Sequence, residues 1–159
     1  MRKSCFFGEF DGSYWPTPEQ LQKYFLGPSA KRQWPFPRHY DTGMLSGYGL
    51  YETGHLPEDQ SVNVQLNVNG NSTTGAMLQY TKWDGRVRRR VAYNSKGDFT
   101  HLRQFVRNTE GFLLSKGLFI PFETAWNAVK QFIEADGELP EGIEWIARHK
   151  LPPGTFPEP

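Results

Sequence analysis

The stretch from Leu118 to Trp145, LFIPFETAWNAVKQFIEADGELPEGIEW, holds the strongest structural pattern in the chain. Its apolar residues recur at the spacing of one helix face, and amide and charged residues occupy the opposite face. Pro121 suits the first helical position, where its missing N–H leaves no hydrogen bond unmade. Gly137 can take the left-handed conformation that ends a helix, and Pro140 prevents the helix from resuming. The pattern predicts an amphipathic helix over about residues 121–136 whose apolar face consists of Phe122, Ala125, Trp126, Val129, Phe132 and Ile133.

A short strand is expected after this helix. Ile143 and Trp145 alternate with Glu144, which fits an extended segment with one buried face. We place this terminal strand at about residues 142–146. Taken alone, the helix and the strand fit the core of any α+β domain.

The order of these features resembles one family of bacterial proteins. The sequence is similar here to the first-numbered immunity-protein family of polymorphic toxin systems. The shared features are an Ile-Pro entry, an alanine-containing helix ending in Phe-Ile, a turn with Gly and Pro, and an apolar-x-Trp strand. These are structural residues, so the resemblance bears on the fold first and on the function second. The residues that carry it are Ile120, Pro121, Ala125, Ala128, Phe132, Ile133, Gly137, Pro140, Ile143 and Trp145.

The resemblance implies a cytoplasmic protein that binds a cognate toxin in the producing cell and blocks it by occluding the toxin's active site. Partners in this family are frequently nucleic-acid-targeting toxins, notably deaminases. Such binding needs no turnover, so the resemblance implies neither catalytic residues nor a cofactor. Members of the family are often more acidic than this chain, whose formal net charge is +1. Global electrostatic steering toward the toxin is therefore not expected.

The composition is typical of one folded domain. A chain of 159 residues with 22% charged and 15% aromatic residues has enough apolar surface for a core and is not disordered by composition. Its single cysteine, Cys5, excludes an internal disulfide framework and a cysteine-based zinc site. No apolar run approaches the roughly 20 residues of a membrane span. We expect a single cytoplasmic domain over residues 1–159.

The middle of the chain predicts an antiparallel meander over about residues 61–94. Ser61 to Asn69 alternates apolar and amide residues, and Asn69-Gly70 begins a turn. Ala76 to Trp83 continues the alternation with Ala76, Leu78 and Tyr80 on one face. Asp84-Gly85 is a two-residue hairpin signal, after which Arg86 to Asn94 returns. The apolar face of such a sheet must be covered.

Two helices can supply this cover. Thr17 is placed as an N-cap, Pro18 at the first helical position and Gln20 for a capping box, which predicts a short helix over about residues 18–26. Together with the helix after Ile120, it completes the architecture. The sequence predicts an α+β fold with an antiparallel sheet of about five or six strands and both helices on one face.

The segment Ser29–Gly47 shows no periodicity and contains several prolines and glycines. It is expected to form a long surface loop anchored by some of its aromatic residues, Trp34, Phe36 and Tyr40. Whether this loop is ordered in the free protein stays open. Tyr48 to Thr53 is expected to form a strand.

No catalytic or metal-binding motif occurs in the sequence. The four histidines, His39, His55, His101 and His149, form no recognised metal-ligand motif; the nearest approach is His55 with Glu58 and Asp59, which lies in a proline-containing loop. Cys5 has no base nearby in the sequence. We expect no catalytic residue, no metal and no cofactor, and hence no enzyme. A small hydrolase that uses His55 or His101 as a base is the weakest alternative.

Two charged segments are candidates for partner binding. Strand alternation would place Arg86, Arg88 and Arg90 on the polar face of the sheet beside Trp83, a composition typical of protein interfaces. Around the turn after the long helix, an acidic patch could steer a basic partner. Its proposed contact residues are Glu138, Glu141 and Glu144, with Glu134 and Asp136 beside them.

The basic hairpin also supports an alternative, a nucleic-acid-binding module. Arg86 to Arg90 next to Trp83 and Tyr80 could hold a phosphate backbone. The near-neutral net charge argues against it, because nucleic-acid-binding domains usually carry a larger basic excess. A protein partner is favoured, and neither nucleic acid nor a membrane is expected.

Overall fold

A computed structural model describes residues 1–28, 30–37 and 40–158. Of the residues singled out above, Ser29 and His39 lie outside these ranges. Two α-helices are described, α1 (Pro18–Leu21) and α2 (Phe122–Glu134). The described strands are β1 (Arg2–Phe7), β2 (Phe10–Gly12), β3 (Thr42–Tyr48), β4 (Val62–Asn71), β5 (Gly75–Asp84), β6 (Arg89–Ser95), β7 (Phe105–Arg107), β8 (Leu113–Ser115), β9 (Phe119–Ile120) and β10 (Trp145–Ala147).

An 8-stranded antiparallel sheet forms the centre of the fold, in the order β10-β6-β5-β4-β3-β1-β2, with β9 pairing β5. β7 and β8 form a separate 2-stranded sheet. The predicted α+β class is confirmed. The sheet is larger than the expected five or six strands because the N-terminal segment contributes both β1 and β2, and β9 fills the part of β5 that β6 leaves free.

The predicted surface loop Ser29–Gly47 is wrong in its second half. Residues 42–48 form β3, an inner strand between β4 and β1, whereas most of the predicted strand Tyr48–Thr53 forms turns. Two of the three inward positions of β3 are glycines, which hides its apolar alternation. The glycine at Gly43 is needed for space, because a Cβ there would lie 2.5 Å from the ring of Phe7.

The predicted meander is confirmed as β4, β5 and β6, but its first turn lies later than expected. Gly70 and Asn71 still belong to β4, in register with Ala76 and Gly75. The turn is formed by residues 72–74, where the Asn71 side-chain oxygen accepts hydrogen bonds from two backbone N–H groups. The asparagine that caps the turn is therefore Asn71 rather than Asn69.

The second turn of the meander also differs from the prediction. Asp84 pairs with Arg89, so residues 85–88 form a loop of four residues instead of a two-residue hairpin at Asp84-Gly85. The Asp84 carboxylate accepts a hydrogen bond of 3.0 Å from the backbone N–H of Arg86, which turns the chain before the ladder can resume. β6 therefore begins three residues later than predicted.

The long helix is confirmed with small shifts at its ends. Pro121 is the N-cap, with extended backbone (ψ 150°), and α2 begins one residue later at Phe122. Gly137 has a φ of 92° and its N–H bonds the carbonyl of Phe132, as expected for a helix end. The terminal strand, β10, begins at Trp145, and Ile143 precedes it.

The short N-terminal helix is confirmed at its start only. Thr17 forms both hydrogen bonds of the capping box with Gln20. α1 ends at Leu21 and continues as a 3-10 turn, Gln22–Tyr24, so it is shorter than the predicted 18–26. Phe25 stacks on Trp126 of α2 at a ring distance of 5.5 Å, which joins the two helical segments on the same side of the sheet.

Aromatic rings fill the core between the sheet and the helices. Trp34 and Phe36 are buried there, as the predicted aromatic anchoring requires, whereas Tyr40 is 41% exposed. The indole N–H of Trp34 donates to the carbonyl of Tyr24 at 2.9 Å. Its ring covers Gly70 of β4, where a Cβ would lie 2.1 Å from the nearest ring atom.

The outer face of the sheet, opposite the helices, is open only in part. Met77, expected on the polar face, is fully buried in a second apolar cluster with Leu118 and Phe119. Leu151 and Phe156 of the C-terminal segment pack against this cluster. The open part of the outer face is therefore the end of the sheet near the β5–β6 loop. No helix in the described ranges has the length and apolarity needed to cross a membrane.

Candidate partner-binding surface

Five side chains form a row across the open part of the outer face. Each is the register partner of the next, from β1 through β3, β4 and β5 to β6. Paired residues in an antiparallel sheet share a face, so the five lie side by side. We call this set the arginine–aromatic row; in order, it contains Arg2, Tyr48, Asn63, Trp83 and Arg90.

Each end of the arginine–aromatic row is a cation–π pair. The guanidinium carbon of Arg2 lies 4.4 Å from the ring centre of Tyr48, and that of Arg90 lies 5.5 Å from the ring centre of Trp83. Arginine over an aromatic face is attracted by the ring quadrupole, more strongly once water is excluded. The row therefore presents flat, preorganised surfaces with a positive charge at either end.

Trp83 is held in place by the neighbouring loop. Its indole N–H donates to the backbone carbonyl of Asp59 at 3.1 Å, and its ring is half-buried. A cavity of about 450 Å³ adjoins the ring and is lined by Glu58, Asn63 and Arg90, among others. Glu58 also lines a shallower depression of about 800 Å³ at the Arg2 end of the row. Side chains of a partner can fit into these two depressions beside the row.

The structure separates the three arginines that were predicted to form one stripe. Arg90 lies on the outer face as expected, but Arg86 and Arg88 belong to the β5–β6 loop and not to a strand. Arg86 folds back onto Asp84, with two guanidinium–carboxylate contacts of 2.9 and 3.0 Å. This ion pair holds the pKa of the Asp84 carboxyl below its usual range. Only Arg88, with a φ of 54°, and Arg90 remain available.

The carboxylate of Glu138 is bound by other side chains of the protein, although it remains about half exposed. The hydroxyl of Tyr51 donates to one of its carboxylate oxygens, and the ammonium of Lys82 lies 3.4 Å from the other. Lys82 also donates to the Tyr51 hydroxyl at 2.5 Å. Burial, reinforced by the bond to Glu138, raises the pKa of Tyr51. Burial by itself would lower the pKa of the Lys82 ammonium. The hydrogen bonds and negative charge supplied by Tyr51 and Glu138 together have the larger effect, so the pKa is raised.

Tyr51 links the two predicted surfaces. Its ring lies 4.9 Å from the guanidinium of Arg86 and 4.7 Å from the ammonium of Lys82, while its hydroxyl binds Glu138. Tyr51 and Glu52 both have positive φ angles, of 55° and 61°, which non-glycine residues rarely adopt. Sequence reasoning missed Tyr51, because Tyr48 to Thr53 was expected to be a strand and tyrosine is not a residue type that marks a positive φ. Strained backbone of this kind is concentrated at functional sites.

The remaining acidic residues do not form one free patch. Asp136 pairs with Lys3 at 3.1 Å, and Glu144 with Lys96 at 3.6 Å, on a different part of the sheet. Glu134 is 3.8 Å from Lys130 within α2. Of the acidic residues described around this turn, only Glu141 lacks an ion pair. The structure therefore weakens the physical case for an acidic docking surface, and contact by Glu138, Glu141 and Glu144 stays a prediction.

The residues considered for metal or covalent chemistry lie on different segments of the described structure. No group of three or more His, Cys, Asp or Glu side chains among them could hold a metal ion. Cys5 is buried, and burial raises the pKa of its thiol, which disfavours the reactive thiolate. His101 lies 3.4 Å from Asp98 on an exposed 3-10 turn, and His55 is in an exposed loop. The surface geometry suits non-covalent recognition of another macromolecule.

Comparison with protein families gives a match over most of the chain. A family model described as immunity protein Imm1 matches residues 43–147, which is well over half of the chain. The matched stretch runs from the second residue of β3 to the end of β10, so it contains α2, the meander and every member of the arginine–aromatic row except Arg2. Neither the curated proteins nor the solved structures contain a significant match.

Proposed function

We propose that this chain, which belongs to the immunity protein Imm1 family, binds a cognate bacterial toxin in the cytoplasm of the producing cell and neutralises it. The observation that carries the proposal is the family match, which contains the long helix α2 and every strand of the main sheet except β1 and β2. The mechanism is binding that occludes the toxin's active site. It requires shape and charge complementarity but no catalytic group, so the protein is not an enzyme and needs no cofactor.

The arginine–aromatic row is the proposed centre of the contact. Tryptophan, tyrosine and arginine are the residues that most often dominate binding energy, when they are half-buried and held in place before binding. Trp83 meets this description through its bond to Asp59, and Arg90 through its position over the Trp83 ring. The surrounding side chains of the outer face are largely small hydroxyls and neutral amides, which are inexpensive to desolvate compared with charges.

The β5–β6 loop is proposed to extend this contact beyond the sheet. Val87 at its tip is 68% exposed, and Arg88 beside it is also exposed. An exposed apolar side chain between arginines can enter a cleft while the charges meet its rim. Arg86 contributes by holding the loop against Asp84 and Tyr51 rather than by direct contact.

The toxin is proposed to be a nucleic-acid-targeting protein of a polymorphic toxin system, such as a deaminase. This part of the proposal comes from the family resemblance. The chemistry of the row does not choose between toxin classes, because an arginine–aromatic surface can cover many kinds of active-site cleft. The identity of the toxin must come from the gene next to this one.

The test is co-purification and growth rescue with the product of the adjacent open reading frame. A stoichiometric complex that suppresses the neighbour's toxicity supports the proposal. Arg88→Glu and Arg90→Glu should weaken inhibition with little change in the thermal midpoint, since both side chains are exposed and form no ion pair with any described residue. Arg103→Glu, the same charge change at an exposed arginine that lines a different depression, beside residues 152–155, is the matched control. Full inhibition by both row and loop variants would place the interface elsewhere.

A nucleic-acid-binding module remains the second candidate, because Arg88, Arg89 and Arg90 are consecutive and exposed. Glu58 and Asp59 lie directly beside Trp83 and oppose a phosphate backbone there. We therefore expect no binding of single-stranded or duplex oligonucleotide at low salt. Binding that falls steeply with added salt would favour this candidate instead.

A further inference from the structure

We propose that the free outer edge of β6 accepts an extended acidic segment of the cognate toxin as an additional strand. This inference rests on the proposed function and specifies how the toxin is held. It makes the sheet edge, and not only the outer face, part of the interface. Main-chain hydrogen bonds would then supply affinity, and arginine side chains would select an acidic segment.

The geometry of the sheet leaves this edge open. β5 pairs with β6 from Arg89 to Asn94, whereas on the other side β10 pairs only with residues 93–95. After Ala147 the chain forms a 3-10 turn, Arg148–Lys150, which lies beside β6 but does not pair with it as a strand. The segment Arg89–Ala92 therefore has a strand partner on one side only among the described strands. Strand edges of this kind present unpaired N–H and C=O groups to an incoming chain.

The charge of this edge selects an acidic occupant. Arg88, Arg89 and Arg90 are all exposed, and none forms an ion pair with a described carboxylate. The nearest acidic neighbour in register is Asp84, opposite Arg89, and Arg86 already occupies its carboxylate. At the other end of the strand, Glu144 is paired with Lys96. The edge is thus a local excess of positive charge on a chain that is nearly neutral overall.

The position of the edge explains why it would serve the same partner. Arg90 belongs both to the free edge and to the arginine–aromatic row, where it is the last member. A strand added next to β6 would therefore continue the row by one residue. One toxin segment could pair with the edge while the adjoining toxin surface rests on Trp83. Arginines on an edge strand also prevent pairing with a second copy of the same chain, since like charges would meet.

Backbone amide exchange tests this inference directly. The probe is the catalytically inactivated product of the adjacent open reading frame, added to the full-length, isotope-labelled protein. Outward-facing amides alternate along a strand, so about two of the four amides of Arg89–Ala92 should exchange at least tenfold more slowly in the complex. The amides of β2, at the opposite edge of the sheet, are the internal control and should not change.

Each outcome separates this inference from the proposed function. If no complex forms, the proposed function fails and the edge pairing fails with it. If a complex forms and inhibits the toxin but the amides of Arg89–Ala92 exchange as before, only the edge pairing is overturned. Exchange could also slow without the toxin and in proportion to protein concentration. That result would identify a second copy of this chain as the occupant and refute the proposal that an acidic toxin segment binds the edge.

A charge variant provides the second measurement. Arg89→Glu reverses the edge charge on a side chain outside the row and should slow association with the toxin roughly tenfold, with a smaller effect at high salt. Arg103→Glu should leave association unchanged. If the two variants associate equally fast, the edge arginines do not select the partner.

Discussion

Replacing Gly70 by alanine tests the packing on which the core depends. Gly70 lies in β4 beneath the indole ring of Trp34, and an added Cβ would be 2.1, 2.2 and 2.5 Å from three ring atoms. Ordinary carbon contacts are about 3.5–4.0 Å. The ring, the strand or both must therefore move by roughly 1 Å or more in the Gly70→Ala variant.

The surroundings of Trp34 resist this movement. Its ring centre is 4.2 Å from that of Phe36, and its N–H is bonded to the carbonyl of Tyr24. Overfilling a packed core costs about 1–3 kcal/mol, and losing the buried hydrogen bond adds about 1 kcal/mol. The reduced entropy of the unfolded chain returns only about 0.4–1 kcal/mol. We expect Gly70→Ala to lower the free energy of unfolding by about 1–4 kcal/mol.

Urea denaturation gives this free energy, and a thermal melt followed by circular dichroism gives an independent measure. For a chain of this size the midpoint should fall by about 2–4 °C for each kcal/mol. Gly54→Ala is the matched control, because a Cβ there would meet nothing closer than 3.8 Å and the residue has no positive φ. It should be neutral or slightly stabilising.

A double-mutant cycle identifies the cause. In a Trp34→Leu background the branched side chain leaves room at Gly70, so the added cost of Gly70→Ala should nearly vanish. Wild-type stability in Gly70→Ala, or an equal cost in both backgrounds, would refute the contact between this strand and the indole ring as the origin of the effect.

Three further changes test other parts of the molecule. Tyr80→Phe removes a buried hydroxyl that donates to the Gly137 carbonyl at 2.9 Å and should cost about 1–3 kcal/mol in urea denaturation. Burial raises the pKa of Tyr80, so above about pH 10 this tyrosine ionises in the unfolded chain before it ionises in the folded one. The free energy of unfolding therefore falls as pH rises, by up to about 1.4 kcal/mol per pH unit. The phenylalanine variant should lose less stability over the same pH range. Phe132→Ala empties a fully buried site beneath Trp15 and should lower stability by about 3–5 kcal/mol, seen as a lower thermal midpoint; a shift below 1 kcal/mol would contradict that burial. Trp83→Ala should weaken toxin binding tenfold or more in calorimetry while the melt changes little, and unchanged affinity would exclude the row.

The elements that could be predicted are those whose pattern is local. The apolar stripe of α2 and the alternation of Val62, Val64, Leu66 and Val68 in β4 are set by the period of the backbone itself. All of these inward positions are buried except Ile133, which is partly buried. Thr17 forms its capping box from residues three apart. The family resemblance depended on the same local features, and it is confirmed by the family match over residues 43–147.

The misplaced elements are those whose structure depends on contacts with other segments of the chain. β3 was missed because its inward glycines carry no apolar side chain. The space above Gly43 and Gly47 is filled by the rings of Phe7 and Trp15, which lie on other segments. The loop at residues 85–88 was misjudged because an Asp-Gly pair suggests a two-residue turn, whereas Asp84 binds Arg86 and lengthens it. Because β6 begins only at Arg89, Arg86 and Arg88 lie in the loop, and the expected stripe of Arg86, Arg88 and Arg90 does not form.

The fold class, the main helix and the meander follow from the sequence alone, because helix and strand periodicity need only nearby residues. The sequence also supplied Trp83 and Arg90 as candidates, since their chemistry is visible without coordinates. The continuation of these two residues through Asn63 and Tyr48 to Arg2 is visible only in the folded protein, since a row across five strands depends on the register between segments far apart in the chain. The same holds for the free edge of β6, which exists because β10 pairs with only three residues of that strand.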